Sequence, residues 1–409
     1  MVPLRCPCHP GDTIEQKSKY KRFFYTLQQM SLNSSLEHKL CSLYPLHVPL
    51  LLTMVHSARF LSFIVALGLA FPVAAQEAQK PSFNDVPADH FAFAAVEFLK
   101  ANNVLQGYPD GTFKPAKIVT RAEAVKIIVS TLISADQLTK VTGTQYTDVP
   151  SGAWYIPYIE FARGPLGMID GPPSAMAFRG DAPVKKAEFL KILLQGYKNV
   201  STDPVDALSM YSEIRLPLAS DVTSADDWFY PYMRYAMASS MTLPNEQGLL
   251  QPGKELSRAE VSVLLYRFLM YRQGVRKQAL LSLAENEILN ILKLLDEKNV
   301  GEANFASNRG YVAARGALAS KHSAEEEGVI KGAVKTSEGF VALVDAYESG
   351  VTGDLQGVLT HSGDAWHLAE KAKEFAPSLQ GIADQMQQIA KGMADQARIE
   401  LAKQGQPAQ

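Results

Sequence analysis

The sequence predicts a mainly α protein in which three copies of a helix–loop–helix unit precede a helical bundle or hairpin. Two observations carry this expectation. A phrase able to start a helix, IVTRAEAVKIIV at residues 118–129, returns as LSRAEVSVLLYRF at residues 256–268. Beyond about Val275 proline nearly disappears, and apolar residues recur three and four apart, as on one face of a helix.

Of the 409 residues 47% are hydrophobic and 20% charged, and 40 basic residues stand against 42 acidic ones. This is a globular composition with room for two or three domains. A net charge near zero offers no basic face to nucleic acid, so no such partner is expected. Cys6, Cys8 and Cys41 all lie in the first 53 residues, which excludes a disulfide from the rest of the chain.

From Met54 the chain runs MVHSARFLSFIVALGLAFPVAAQ, with Arg59 ahead of an apolar stretch and Val73-Ala74-Ala75 closing it. That three-part layout is a secretory signal peptide over 54–75, cleaved after Ala75. The stretch falls short of the roughly 20 apolar residues that a membrane span needs. Residues 1–53 then read as a non-translated or disordered extension ahead of a start at Met54. The alternative is a cytoplasmic tail before a signal anchor, helped by Lys17, Lys19, Lys21 and Arg22.

Three units follow, over 82–140, 145–200 and 208–273. Their parts align in order: Asp85 with Asp148 and, loosely, Glu213; Phe91 with Trp154 and Trp228; Phe113 with Phe178 and Leu250; Glu123 with Glu188 and Glu260. Within the first unit, Ala95, Phe98 and Leu99 give an apolar stripe on a helix expected to end near Gly107. The YPDGTF that follows is turn chemistry, because proline presets one backbone angle and Asp-Gly tolerates the left-handed one. Thr120 and Glu123 then form a capping box, repeated by Ser257 and Glu260: the hydroxyl accepts from the N3 amide and the glutamate reaches back to the cap amide.

A capping box does not need Arg121 or Arg258. Both hold the first helical position, where backbone amides already favour an anion. The second unit has Lys185-Lys186-Ala187-Glu188 instead, without a hydroxyl cap. Lys186 is a point charge and lacks the fork of a guanidinium, so its site is expected to be weaker or silent.

These motifs resemble the S-layer homology (SLH) domain family, whose repeats carry an Asp-Val opening, an aromatic at the first helix, a Gly-Tyr-x-Asp-Gly-x-Phe loop and a Thr-Arg-Ala-Glu helix start. NDVP, GYPDGTFKP and TRAE stand in that order in the first unit; the second lacks TRAE, and the third matches around DDW and SRAE. The resemblance implies three repeats packed as a pseudo-threefold prism, with grooves that hold secondary cell-wall polysaccharide. It implies that Arg121 and Arg258 pair with the carboxylate of a pyruvylated sugar and that Trp154 and Trp228 pack on sugar faces. Phe91 is expected in the core.

Residues 275–405 form the helical region. Leu281, Ala284, Ile288, Ile291 and Leu295 make one seam, and Leu379, Ile382, Met386, Ile389 and Met393 another. Ser323 with Glu326 is a further capping box, Asp354 can cap the next helix, and Pro377 stops it. Four or five antiparallel helices are expected, either continuous with the last helix of the third unit or separate from it. Gly328, Gly332 and Gly339 suit a close-packed face, and Glu325–Glu327 a solvated helix start. His361, Asp364 and His367 lack the i, i+4 spacing of a helical metal pair, and Asp226–Asp227 cannot flank a glycosidic bond. No metal, cofactor or catalytic residue is expected.

The leading expectation is therefore a secreted, non-enzymatic protein anchored to the cell surface by wall glycan or peptidoglycan-linked glycan. The helical region would then contact a protein partner or a second copy. The alternatives are an envelope glycan-processing enzyme targeted by the repeats, and a tether between outer membrane and peptidoglycan.

Overall fold

The computed structural model describes residues 81–405, apart from 139–140, 142, 170–176 and 201–205. The extension, the signal peptide and most of the second unit's loop lie outside the described residues. Twelve α-helices and no strand occur among those described, so the protein is mainly α. They are α1 (Phe93–Ala101), α2 (Arg121–Leu132), α3 (Ala135–Leu138), α4 (Ile156–Arg163), α5 (Lys186–Val200), α6 (Tyr230–Ala238), α7 (Arg258–Arg272), α8 (Lys277–Asp296), α9 (Val300–Ala319), α10 (Ala324–Thr352), α11 (Leu355–Phe375) and α12 (Gln380–Lys403).

The segments just before α2, α5 and α7 meet in a closed ring of backbone hydrogen bonds. Val119 N–H donates to Leu256 O (2.9 Å), Leu256 N–H to Val184 O (3.1 Å) and Val184 N–H to Val119 O (3.0 Å). All three side chains are fully buried, so apolar packing surrounds polar groups that satisfy one another. A second ring lies one turn out: Arg121 N–H reaches Ala182 O, Lys186 N–H reaches Lys254 O, and Arg258 N–H reaches Lys117 O. Each unit's second helix thus starts on the loop of the next unit, and the third starts on the first.

Each loop is held by an aspartate. Asp85 accepts from Phe113 and Lys114 N–H (both 2.7 Å), Asp148 from Phe178 and Arg179 (both 2.7 Å), and Asp221 from Leu250 and Gln251 (3.0 and 2.6 Å). The second donor residue of each pair is left-handed, with φ of 56°, 55° and 54° at Lys114, Arg179 and Gln251. That conformation costs an L-residue roughly 1–2 kcal/mol. Two charge-assisted bonds to the carboxylate offset it.

Asp221, and not Glu213, therefore fills the third unit's aspartate position. Glu213 instead pairs with Arg315 of α9. The first helix also differs from expectation: it ends at Ala101, six residues before Gly107, because Asn103 turns left-handed (φ 58°). Gly107 lies on Phe83, where a Cβ would fall 2.1 Å from the ring.

Helices α8 to α12 pack as sequential neighbours joined by short turns, the antiparallel arrangement that such connections enforce. The Ser323–Glu326 capping box opens α10, and Asp354 accepts from Gly357 N–H to cap α11. Gly332 and Gly339 touch Leu379, Ala376 and Met386, which brings α10 close to the segment 376–386. The chain does not run straight from α7 into α8, since Gly274 (φ 78°) breaks the helix between them.

The seam between the third unit and these helices is tight. A Cβ on Gly316 of α9 would lie 1.7 Å from Ala238 O of α6. Tyr271 Oη donates to Gly316 O, Asn308 Nδ2 donates to Pro217 O, and the buried Arg309 binds both Glu287 and Leu218 O. Helix α6 is consequently buried along most of its length, unlike α1 and α4.

Candidate functional site

The ring packs one unit's second helix against the first helix of the next three times over, and the surface at each junction is a candidate cleft. The first lies between α2 and α4, the second between α5 and α6, and the third between α7 and α1. An aromatic residue stands two positions before each first helix, at Phe91, Trp154 and Trp228. They are 70%, 53% and 55% exposed.

Phe91 is therefore not a core residue. Ala92, its neighbour, is fully buried and takes the inward place, as Tyr155 does after Trp154. Phe91 faces out against the His90 ring at 4.7 Å, and Trp154 and Trp228 stand edge-on to Tyr155 and Phe229. Held this way, each presents a flat apolar plate to solvent at low entropic cost.

The second part of each cleft is the residue at the helix start. Arg258 Nε donates to Phe113 O (2.8 Å) and an Nη to Gln106 O (3.1 Å), while the guanidinium lies over the Phe113 ring (4.5 Å) and the Tyr108 ring (5.2 Å). Two of its five N–H donors are spent on the scaffold, and three remain. The fold thus uses this arginine without exhausting it.

Arg121 stacks its guanidinium over Phe178 at 5.5 Å. Burial pulls its pKa down against the attraction of Glu188. Lys186 is 9% exposed and donates to Leu250 O at 2.7 Å, and burial, then the charge of Lys254, lower its pKa. A lysine so placed holds a loop and offers little to a ligand. Thr120 with Glu123, and Ser257 with Glu260, close both capping boxes and fix where α2 and α7 begin.

Several cations escaped the sequence reading. Lys114 Nζ lies 4.0 Å from the Tyr108 ring centre and Lys117 Nζ 5.9 Å, so with Arg258 three cations surround one phenol in the third cleft. Lys117 also pairs with Glu123, and that hydrogen bond raises its pKa. In the first cleft Lys126 lies 5.4 Å from Trp154 and 5.9 Å from Tyr158. The signal was available: Tyr108 sits inside the GYPDG loop, and Lys126 is five residues after Arg121, one face further along the same helix.

Cations beside aromatic plates suit an anionic, ring-shaped ligand such as a carboxylated sugar. Elsewhere, His361, Asp364 and His367 line one cleft of about 370 Å³ between α10 and α11 with Asp345 and Glu338. No group of three metal-ligating side chains occurs among the described residues. No helix among them is long and apolar enough to cross a membrane.

Residues 82–125 match the family model of the S-layer homology domain. The chain therefore carries an SLH domain over these residues, and its relatives include S-layer and anchoring proteins. It is 34% identical over 114 residues to a cellulosome-anchoring protein of Acetivibrio thermocellus, covering 27% of this chain and 25% of that one. It is 27% identical over 220 residues to a surface-layer 125 kDa protein of Lysinibacillus sphaericus (53% and 17%). It is 28% identical over 190 residues to an amylopullulanase of Thermoanaerobacterium thermosulfurigenes (46% and 9%). The chain thus spans a quarter or less of the length of these relatives. Domain and relatives together mark it as a secreted, cell-surface protein.

Proposed function

We propose that the three units are SLH repeats and that the protein is anchored noncovalently to the cell envelope through their clefts. The ligand is a secondary cell-wall polysaccharide or peptidoglycan-linked glycan whose sugars carry a carboxylate, as a pyruvate ketal does. The observation that supports this best is the meeting of cations and aromatic rings in two of the three clefts, Lys126 beside the exposed Trp154 in the first and Arg258, Lys114 and Lys117 around Tyr108 in the third. Arg258 and Arg121 grip the carboxylate, Trp154 and Trp228 pack on sugar faces, and Lys114 and Lys117 add charge to the third cleft. Lys186 serves the fold.

The protein acts here as an anchor and not as an enzyme. The amylopullulanase among its relatives is matched over less than a tenth of its length, so the likeness does not carry that protein's activity to this chain. Helices α8 to α12 present a protein partner or a second copy with a rigid surface held to the third unit.

Cosedimentation with purified cell-wall sacculi tests the reading. Wild-type protein is expected in the pellet and Arg121→Ala/Arg258→Ala protein in the supernatant. Equal pelleting of the two would refute the cleft assignment. Sugar release during the same incubation would instead support a glycan-processing enzyme.

A further inference from the structure

Arg267 of α7 and Arg276, just before α8, converge on the C-terminal end of α6. Arg267 Nη1 donates to Met241 O (3.2 Å), and Arg276 Nε donates to the hydroxyl of the preceding residue, Ser240 (2.9 Å). Both residues are part-buried, and neither is sealed in the core. Among the described residues neither forms an ion pair with a carboxylate. The nearby Lys277 is committed to Glu326, and Tyr266 lies close enough to Arg276 to influence its charge.

The repeated scaffold does not require these cations. The positions equivalent to Arg267 in the first and second units hold Ser130 and Gln195. A single arginine would satisfy the carbonyls left open where α6 ends. A second places like charges side by side in a partly desolvated corner, which is unfavourable without a counter-charge. Burial, and then the charge of Arg276, hold the pKa of Arg267 down at about 10. Each guanidinium spends one donor on this corner and keeps four, enough for a bidentate grip.

We propose that Arg267 and Arg276 form an oxyanion site, distinct from the three clefts, for a phosphate or carboxylate group. Paired forks match the planar or tetrahedral oxygens of those groups, as lysines would not. The site lies where the third unit joins the helical region, so occupancy would also brace that joint.

The test is an NMR titration of the purified protein, following the arginine Nε–Hε signals at constant ionic strength in chloride. Inorganic phosphate is the probe in one arm and acetate in the other; the arm with the tighter saturation names the ligand class. At least one anion is expected to shift the Arg267 and Arg276 signals saturably. Arg276→Gln should weaken that shift at Arg267 by roughly tenfold or more. Arg276→Lys keeps the charge without the fork, and it should weaken binding too if the glutamine variant fails to fold. Arg121→Ala/Arg258→Ala should bind as wild type, which separates this site from the clefts. Absence of a saturable shift with both anions, or unchanged binding in the Arg276 variants, overturns the proposal.

Discussion

The threefold region and the helical region are both α-helical, yet they are held together in different ways. In the first, backbone groups far apart in sequence bind one another directly, through the Val119–Leu256–Val184 ring and the three aspartate-held loops. In the second, capped helices pack on small residues, as Gly332 and Gly339 do against the segment 376–386. The lesson concerns where function can be read. A loop fixed by named polar contacts needs particular residues at particular positions, and the same contacts aim the cleft side chains. A seam of small and apolar residues needs only size and spacing, so it carries little information about ligands.

The largest expected effect falls where the two regions join. Gly316→Ala puts a methyl group against the Ala238 carbonyl, and the helices must part. Overpacking of this kind should cost about 3 kcal/mol in chemical denaturation. An unchanged midpoint would mean that the joint has room for the methyl group that this close approach of α9 and α6 denies.

Next in size is Asp221→Ala, which removes two bonds to backbone N–H and leaves Gln251 in a strained conformation. A loss of about 2 kcal/mol is expected. Glu213→Ala should cost under about 1 kcal/mol, because its pair with Arg315 is half exposed. If Glu213 proved the costlier of the two, the third unit would be misread.

A smaller effect separates the regions by pH. Glu326 is held at about 2, from an ordinary 4.5, first by the Lys277 ammonium and then by Ser323 N–H. A carboxyl depressed in this way contributes stability that is present above about pH 4.5 and lost as pH falls toward 2. Lys277→Met should flatten that acid-side loss in thermal unfolding between pH 5 and 2. A profile parallel to wild type would show that the pair does not matter.

The smallest effect comes from Glu285, whose carboxyl burial raises to about 7. Its charge opposes folding above that pH, so Glu285→Gln should stabilise at pH 8 by on the order of 1 kcal/mol and be neutral near pH 4. Equal melting of the two proteins at both pH values would contradict the burial.

Local chemistry was legible in the sequence, and long-range placement was not. Thr120–Glu123, Ser257–Glu260 and Ser323–Glu326 close as capping boxes because each involves only one turn of chain. The mainly α class followed from the same local signals. Asp221 was missed although Asp221-Val222 repeats the Asp-Val of 85–86 and 148–149. The third unit places one more residue before its tryptophan, and the segment 206–218 that precedes it docks on α9.

The cleft side chains show the same limit. Local sequence makes Arg258 surplus to the capping box, but its partners Phe113 and Gln106 are 145 and 152 residues away. Nothing near Ser257 announces them. Phe91 is expected in the core because an aromatic at a helix head is usually buried, yet it is exposed. Which of Phe91 and Ala92 turns inward depends on how α7 packs against α1, which only the assembled ring decides.

The central claim is that arginine clefts bind and the lysine position holds a loop. Cosedimentation with sacculi, comparing Arg258→Met with Lys186→Met, tests it most directly. The claim predicts that Arg258→Met loses roughly tenfold or more in affinity, while Lys186→Met pellets like wild type. Loss of binding in Lys186→Met with Arg258→Met unaffected would contradict it.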